Sequence, residues 1–548
     1  VLSIALSPSR AKGAPTAVVR RIDGREFYLH SRFDPLEEAR LIASDVVAQE
    51  RTLYVVLGFG LGYHVKAILD RVPSSSHVLV VEPASACLSA RSIGDGDHPA
   101  SGWIRDRRLH FLVHDDPKLT PIHLADRMAS LRLLSIKMVR HLPSALTAEQ
   151  FYGALTNEIP QSLPANLHRH LRTIDQSLEN DLRNFWANLP RTWNTSPIGR
   201  LRDLWKGKPL IVASSGPSLV DALPELHECR SAAMLVATAS TARILAANGL
   251  QPDLVVSVDP YSPNLGHFEG WDTDAVPLVY YQRIFRGVPR VYRGPMAAFA
   301  MHDEPGLPLF DEAAASPFRR GGTVAFSALQ LAHFVGADPV IFTGQDFAFA
   351  RGRTHAEGFI YGAAVDADQL RDDYLPVPGV DGQLVITSRL HHTYLLHLQN
   401  YLLTRARQHD RTRHINTSRI GAMIRGMEYI GLGEALGSGG PLDTPARDVI
   451  RGAFAGPGRV RHELQRATVT RWLGELEGVI RRTRDLDRLE PMHAVFARTT
   501  MYACAAPSYD SLLYLAEARG GRGRSDLAGR FRAHLADIHA DLQTLTVA

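Results

Sequence analysis

Several clusters of hydroxyl, glycine, guanidinium and carboxylate residues could hold an anion or move a proton. Ser214-Ser215-Gly216-Pro217-Ser218 follows an apolar run and opens a helical pattern. A helix start leaves backbone N–H groups without helical partners, and its dipole favours an anion. Ser215 and Ser218 add hydroxyls, Gly216 lets a phosphate come close, and Pro217 lacks only a hydrogen that a first turn does not use. Ser218 with Asp221 also reads as a Ser-x-x-Asp capping box, a bland alternative that uses different groups. The loop lacks the Lys-Ser/Thr of a Walker motif. Arg319-Arg320-Gly321-Gly322-Thr323 opens a second helix with two forks suited to carboxylate or phosphate. Its alternative is Thr323 as a plain N-cap. Asp259 and Asp346 stand at the ends of apolar runs, where a carboxylate can hold a hydroxyl or accept a proton. Nearby, His355 is the side chain most apt to titrate. Asp253 reads as a turn residue.

The elements that position these residues follow from the apolar runs. Runs at 210–213, 234–238, 254–258, 276–281 and 339–343 alternate with amphipathic helices, among them one from Thr323 to Val335. Strands apolar on both faces indicate a parallel sheet covered by helices on both sides. In such sheets ligands lie outside the carboxyl ends of the strands, where Ser215, Ser240, Asp259 and Asp346 fall. Upstream, 53–57 and 77–81 flank Gly58-x-Gly60-x-Gly62, a βαβ pattern with a further run at 109–113. The glycines and Glu82 allow two readings: a nucleotide fingerprint, or tight packing in a scaffold. After residue 391 the strand signals stop and helical patterns around Leu398, Trp472, Leu476 and Leu535 take over. The expected organisation is an α/β domain at 1–140, a helical connector at 141–205 broken at Pro164 and Pro190, a central doubly wound, mainly parallel sheet at 206–390 and a helical domain at 391–548.

Composition narrows the function classes. A chain of 548 residues allows three to four domains at roughly 150 residues each. Lys+Arg 61 against Asp+Glu 57 leaves +4, too small a surplus to mark a nucleic-acid binder. Cys87, Cys229 and Cys504 have no metal or disulfide spacing and fit a reducing compartment. No apolar run reaches the ~18 residues of a membrane span. These features point to a cytoplasmic protein; residue 1 is Val, so targeting upstream stays open. His391-His392 and His168/His170 lack a closed ligand set, and no metal site is assigned.

Taken in order, VASSGPSL (212–219), PDLVVSVDP (252–260), GGTVAFSALQLAHFVGADPVIFTGQDFAF (321–349) and THAEG (354–358) resemble the Maf, or motility-associated factor, family. This family groups with the 6-hydroxymethylpterin pyrophosphokinase MptE-like proteins. LGFGLGYHVKAIL (57–69), VVEP (80–83) and INTSRIGAMIRGMEYI (415–430) extend the resemblance over most of residues 50–430. It implies a sialyltransferase-like central domain and a glycosyltransferase. The reaction would move a nonulosonic acid, pseudaminic or legionaminic in type, from a CMP-activated donor onto Ser or Thr of flagellin. Under that reading Ser215, Gly216 and Ser218 take the donor phosphate, and Asp259 the donor hydroxyls. The sugar carboxylate falls near Arg319 or Gly321–Thr323, Gly322 and Thr323 take the sugar or phosphate, Asp346 orients or activates, and His355 is the base. The implied partners are the nucleotide-sugar donor and flagellin; no cofactor is called for, and a divalent metal is compatible but not indicated. Where the family has Glu-Gly-Gly, this chain has Ser418-Arg419-Ile420-Gly421, which removes a carboxylate. The alternatives are an MptE-type pterin pyrophosphokinase using ATP and Mg²⁺, and a non-enzymatic flagellin-binding scaffold.

Overall fold

The computed structural model describes residues 3–21, 23–83, 103–104, 106–193, 195–301, 318–360, 374–407, 410–437, 440–455, 462–486, 489–499, 501, 509, 514 and 524–547. Cys87, Cys504 and the side chain of His170 lie outside them. The chain forms two compact units, Val1–Asp175 with Glu517–Gly521, and Gln176–Ala516 with Arg522–Ala548. No helix among the described residues is long and apolar enough to cross a membrane.

The first unit opens with an antiparallel meander of β1 (Ser3–Ser7), β2 (Thr16–Arg20) and β3 (Glu26–Tyr28), which the sequence patterning missed. A four-stranded parallel sheet follows, in the order β6 (Leu109–Val113), β5 (His77–Glu82), β4 (Thr52–Leu57) and β7 (Ser135–Arg140). Alternate residues of β4 and β5 feed two cores. Tyr54, Val56, Val78 and Val80 meet Val65, Ile68 and Leu69 of the helix Tyr63–Arg71. Leu53, Val55, Leu79 and Val81 meet Leu124, Met128 and Leu155 on the other face. The expected βαβ unit is present; β7 escaped because Ser135, Lys137 and Arg140 dilute its apolar character.

Pro164 and Pro190 do not break the connector: one helix runs Glu149–Trp193. An interior proline costs about 3 kcal/mol or more. Here Leu155, Ile159 and Leu163 are buried at one end and Leu182, Phe185, Trp186 and Leu189 at the other. At roughly 1.5–3 kcal/mol for each large apolar side chain, burial outweighs the breakers.

Among the described residues the second unit is built on a sheet of nine strands. Their order is β18 (Glu428–Tyr429), β17 (His414–Asn416), β14 (Val340–Thr343), β9 (Leu210–Ala213), β10 (Met234–Thr238), β11 (Leu254–Ser257), β12 (Leu278–Tyr281), β13 (Met296–Phe299) and β8 (Ser196–Pro197). All their pairings are parallel. The five expected strands are β9, β10, β11, β12 and β14. Strands do not stop near residue 391, since β17 and β18 extend the sheet; at three and two residues they are too short to show periodicity. A hairpin of β15 (Tyr374–Pro378) and β16 (Leu384–Ser388) leads into the helix Arg389–Arg407, whose Leu395, Leu398 and Leu402 enter the sheet's core. From β9 the chain steps one way through β10, β11, β12 and β13, then returns to place β14 on the opposite side of β9. The direction of winding reverses between β9 and β14, which makes their carboxyl ends the switch point.

Candidate functional site

Beyond the ends of β9 and β14 two turns lie against each other. Gly216 N–H donates to the Gly344 carbonyl at 2.8 Å, and Ser214 Oγ donates to Gln345 Oε1 at 3.0 Å. A Cβ on Gly216 would stand 2.4 Å from that carbonyl and 2.6 Å from Asp346 Oδ2, so only glycine fits. Asp346 is buried at the centre of this contact. Its carboxylate accepts from Ser218 N–H at 2.8 Å, Ser218 Oγ at 2.5 Å and Ser418 Oγ at 2.7 Å. Burial pushes the Asp346 carboxyl up from its ordinary value, against the pull of these donors. Behind it Ala422 N–H donates to the Asp346 carbonyl at 2.8 Å, and Gly421, at φ +102°, leaves room for the Asp346 backbone.

These turns border a cavity of about 230 Å³. Ser215, Gly216, Ser240, Thr323, Asp346, His355 and Tyr394 are among its lining residues. Ser240 Oγ donates to Ser215 Oγ at 3.3 Å, so hydroxyls from two adjacent strand ends meet at the rim. Ala356 N–H donates to the Ser215 carbonyl at 2.9 Å, which ties the loop carrying His355 to the serine loop. The His355 ring stacks on Phe359 with centroids 3.8 Å apart, and its Nδ1 lies 3.0 Å from Thr354 Oγ1. Burial pushes His355 down to about 4, so the ring is neutral at pH 7 and carries a lone pair.

Of the residues singled out from sequence, Ser215, Gly216, Thr323, Asp346 and His355 share this cavity. Ser218 is adjacent and turned to Asp346: it makes no side-chain cap, and Asp221 instead pairs with Arg351 at 2.7 Å. Thr323 does cap its helix, Val324–Phe334, its hydroxyl accepting from Phe326 N–H at 3.2 Å. Gly321 and Gly322 pack against rings; a Cβ would come within 1.9 Å of Phe326 and 2.3 Å of Tyr394 respectively. Arg319 is exposed, its backbone N–H donating to Gln330 Oε1 at 2.6 Å. Asp259 follows β11, two strands from β9, and does not line the cavity. Its Oδ1 accepts from Tyr261 N–H at 3.0 Å, and burial raises its carboxyl. Asp253 is no mere turn residue: buried, it accepts from Arg230 at 2.7 Å and from Leu235 N–H at 2.8 Å.

Sequence reasoning missed Tyr394, and it named His391 and Ser418 without placing either at this site. They come from the segments after β14, and only the fold brings them to its end. In the first unit the glycine loop is filled by its own chain. A Cβ on Gly58 would meet Ser144, and one on Gly62 would meet Phe59, while Glu82 Oε1 accepts from Phe59 N–H at 2.5 Å. The packing reading accounts for those glycines.

Residues 183–352 match the model of a family described as 6-hydroxymethylpterin diphosphokinase MptE-like. This segment is similar to that family. It contains the switch-point turns, Thr323 and the sheet from β8 through β14; His355, His391, Tyr394 and Ser418 come from beyond it. No curated protein matches the chain by sequence. The solved structures similar to it include the Maf glycosyltransferase of Magnetospirillum magneticum AMB-1, at 15% identity and a TM-score of 0.47, over 97% of this chain and 91% of that one.

Proposed function

We propose that the MptE-like segment, completed by the residues that follow it, forms the catalytic centre of a glycosyltransferase that moves a nonulosonic acid, of pseudaminic or legionaminic type, from a CMP-activated donor to Ser or Thr hydroxyls of flagellin. The observation that carries this reading is the gathering of Ser215, Ser240, Thr323, Asp346 and His355 around one cavity at the sheet's switch point. The ordered motif resemblance supplies the donor and acceptor classes. At about 230 Å³ the cavity is below the roughly 300 Å³ at which small-molecule pockets begin, so it suits a phosphate-and-ring fragment of the donor.

Ser215 and Ser240 offer hydroxyls to the donor phosphate. Gly216 and Ser218 have their N–H groups committed to Gly344 and Asp346, and serve by shaping the loop. The bond from the sugar's anomeric carbon to the phosphate oxygen breaks, and CMP leaves with the electron pair. The acceptor oxygen attacks that carbon, and neutral His355 takes its proton. CMP is a good leaving group, so catalysis rests on positioning and on stabilising developing negative charge. Incubation with CMP-pseudaminic or CMP-legionaminic acid and the matched flagellin should release CMP and add one sugar mass per modified site. A folded sample inert toward both donors refutes the reading.

The family description favours a second reading, a diphosphokinase using ATP and Mg²⁺. Thermal stabilisation by ATP with Mg²⁺ and a pterin, and none by CMP, would decide for it.

A further inference from the structure

Three histidines in the first unit converge without being used by the proposed reaction. His30 follows β3, His64 lies in the first turn of the helix Tyr63–Arg71, and His141 follows β7. Their exposures are 2%, 0% and 1%, and one ring nitrogen of each lies within 4.8 Å of the others. The chain gives each ring a partner on one side. His64 Nε2 is 3.0 Å from the Gly58 carbonyl, which only accepts, so Nε2 carries the proton and Nδ1 the lone pair. His30 Nε2 accepts from Leu61 N–H at 3.0 Å, which leaves its proton on Nδ1, 3.2 Å from Glu38 Oε2. His141 Nδ1 is 2.7 Å from Ser144 Oγ. His64 Nδ1 and His141 Nε2 are buried with no hydrogen-bond partner. A buried nitrogen so stranded costs about 1–3 kcal/mol.

We propose that His30, His64 and His141 form a binding site for a borderline divalent transition metal of the zinc class. Imidazole nitrogens are the donors such ions prefer. Metal-bound histidines commonly hold their other nitrogen against a carboxylate or a backbone carbonyl, as Glu38 and Gly58 do here. Gly60 keeps the site open: a Cβ there would stand 2.7 Å from His30 Nε2 and 3.2 Å from His141 Cε1. The His64 and His141 rings stack at 4.1 Å and 11°, so loading turns one of them and draws His30 Nε2 from Leu61 N–H. The ion would clamp the meander, the glycine loop and the end of β7 together, which makes its role structural and separable from transfer.

The test uses the full chain, stripped with chelator and titrated with Co²⁺ and then Zn²⁺. The expected result is one Co²⁺ per chain with visible ligand-field absorption, displacement by Zn²⁺, and a higher melting temperature when loaded. His141→Gln and His64→Gln should each weaken binding at least 100-fold. Glu38→Gln, at a partly exposed position that leaves the core intact, should weaken it roughly 10- to 100-fold and serves if the histidine variants fail to fold. His391→Gln, in the other unit, should leave Co²⁺ and Zn²⁺ uptake unchanged. A folded wild-type protein that takes up no stoichiometric Co²⁺ or Zn²⁺ overturns the proposal. So does uptake that survives both histidine variants, or that is lost in His391→Gln.

Discussion

Asp346 separates a brace from a reactive group, and two substitutions distinguish them. Its carboxylate accepts Ser218 N–H, Ser218 Oγ and Ser418 Oγ. In Asp346→Ala the N–H and hydroxyl of Ser218 lose a buried acceptor, whereas Ser418 Oγ keeps the Ile420 carbonyl. Two stranded donors at about 1–3 kcal/mol each give a loss of about 2–6 kcal/mol. Asp346→Asn keeps an oxygen for Ser218 N–H, and its amide hydrogens meet the oxygens of Ser218 and Ser418, whose hydroxyls can rotate. It also removes a charge that burial disfavours. Asn should therefore cost under about 1 kcal/mol. Urea unfolding followed by tryptophan fluorescence reads the unit that holds Trp186, Trp205 and Trp472. If Asp346 positions the loop, Asn keeps CMP release within about tenfold of wild type and Ala loses most of it. An Asn variant as unstable as Ala, or an Ala variant with wild-type stability, refutes the bracing argument. A stable Asn variant with activity lost more than 100-fold assigns the carboxylate to the chemistry instead.

Three further outcomes follow from the same geometry. Gly216→Ala forces a Cβ against the Gly344 carbonyl and should destabilise by about 1–3 kcal/mol in urea titration while lowering donor affinity. His355→Gln should slow transfer roughly 10²- to 10⁴-fold at pH 7 with an unchanged melting temperature, and an equal loss in the His391→Gln control would point to a shared packing role. Acid should destabilise the protein through its buried histidines. His355 and His110 are held near about 4 and His534 near about 3, against 6.5 when unfolded. Between pH 6.5 and about 4 the unfolded chain thus binds more protons, so stability should rise with pH across that window and level off above it. A melting temperature that stays flat from pH 4.5 to 7 contradicts that burial.

The large sheet was legible because β9, β10, β11, β12 and β14 are apolar throughout and their ends carry small polar residues. Burial on two faces writes itself into sequence in that way. The two- and three-residue strands β8, β17 and β18 are too brief to leave a pattern; their place is set by pairing. The helix through Pro164 and Pro190 was misread since local propensity says nothing of the cores that its two ends enter. At the site, sequence pointed to the Ser215 loop, Thr323 and Asp346, whose strand-end and cap positions are local properties. It had no means to show that Ser218 spends both its donors on Asp346, or that Ser418 joins them. His30, His64 and His141 went unseen for the same reason: tertiary structure alone makes them neighbours.

The most direct measurement is a crystal structure of the protein soaked with CMP. The account predicts nucleotide density at the switch point, with the phosphate within hydrogen-bonding distance of the Ser215 and Ser240 hydroxyls and His355 facing the phosphate oxygen that carries the sugar in the intact donor. Density confined to another face, such as the groove of about 500 Å³ beside Arg230 and Arg447, would contradict it, as would a crevice that stays shut at saturating CMP.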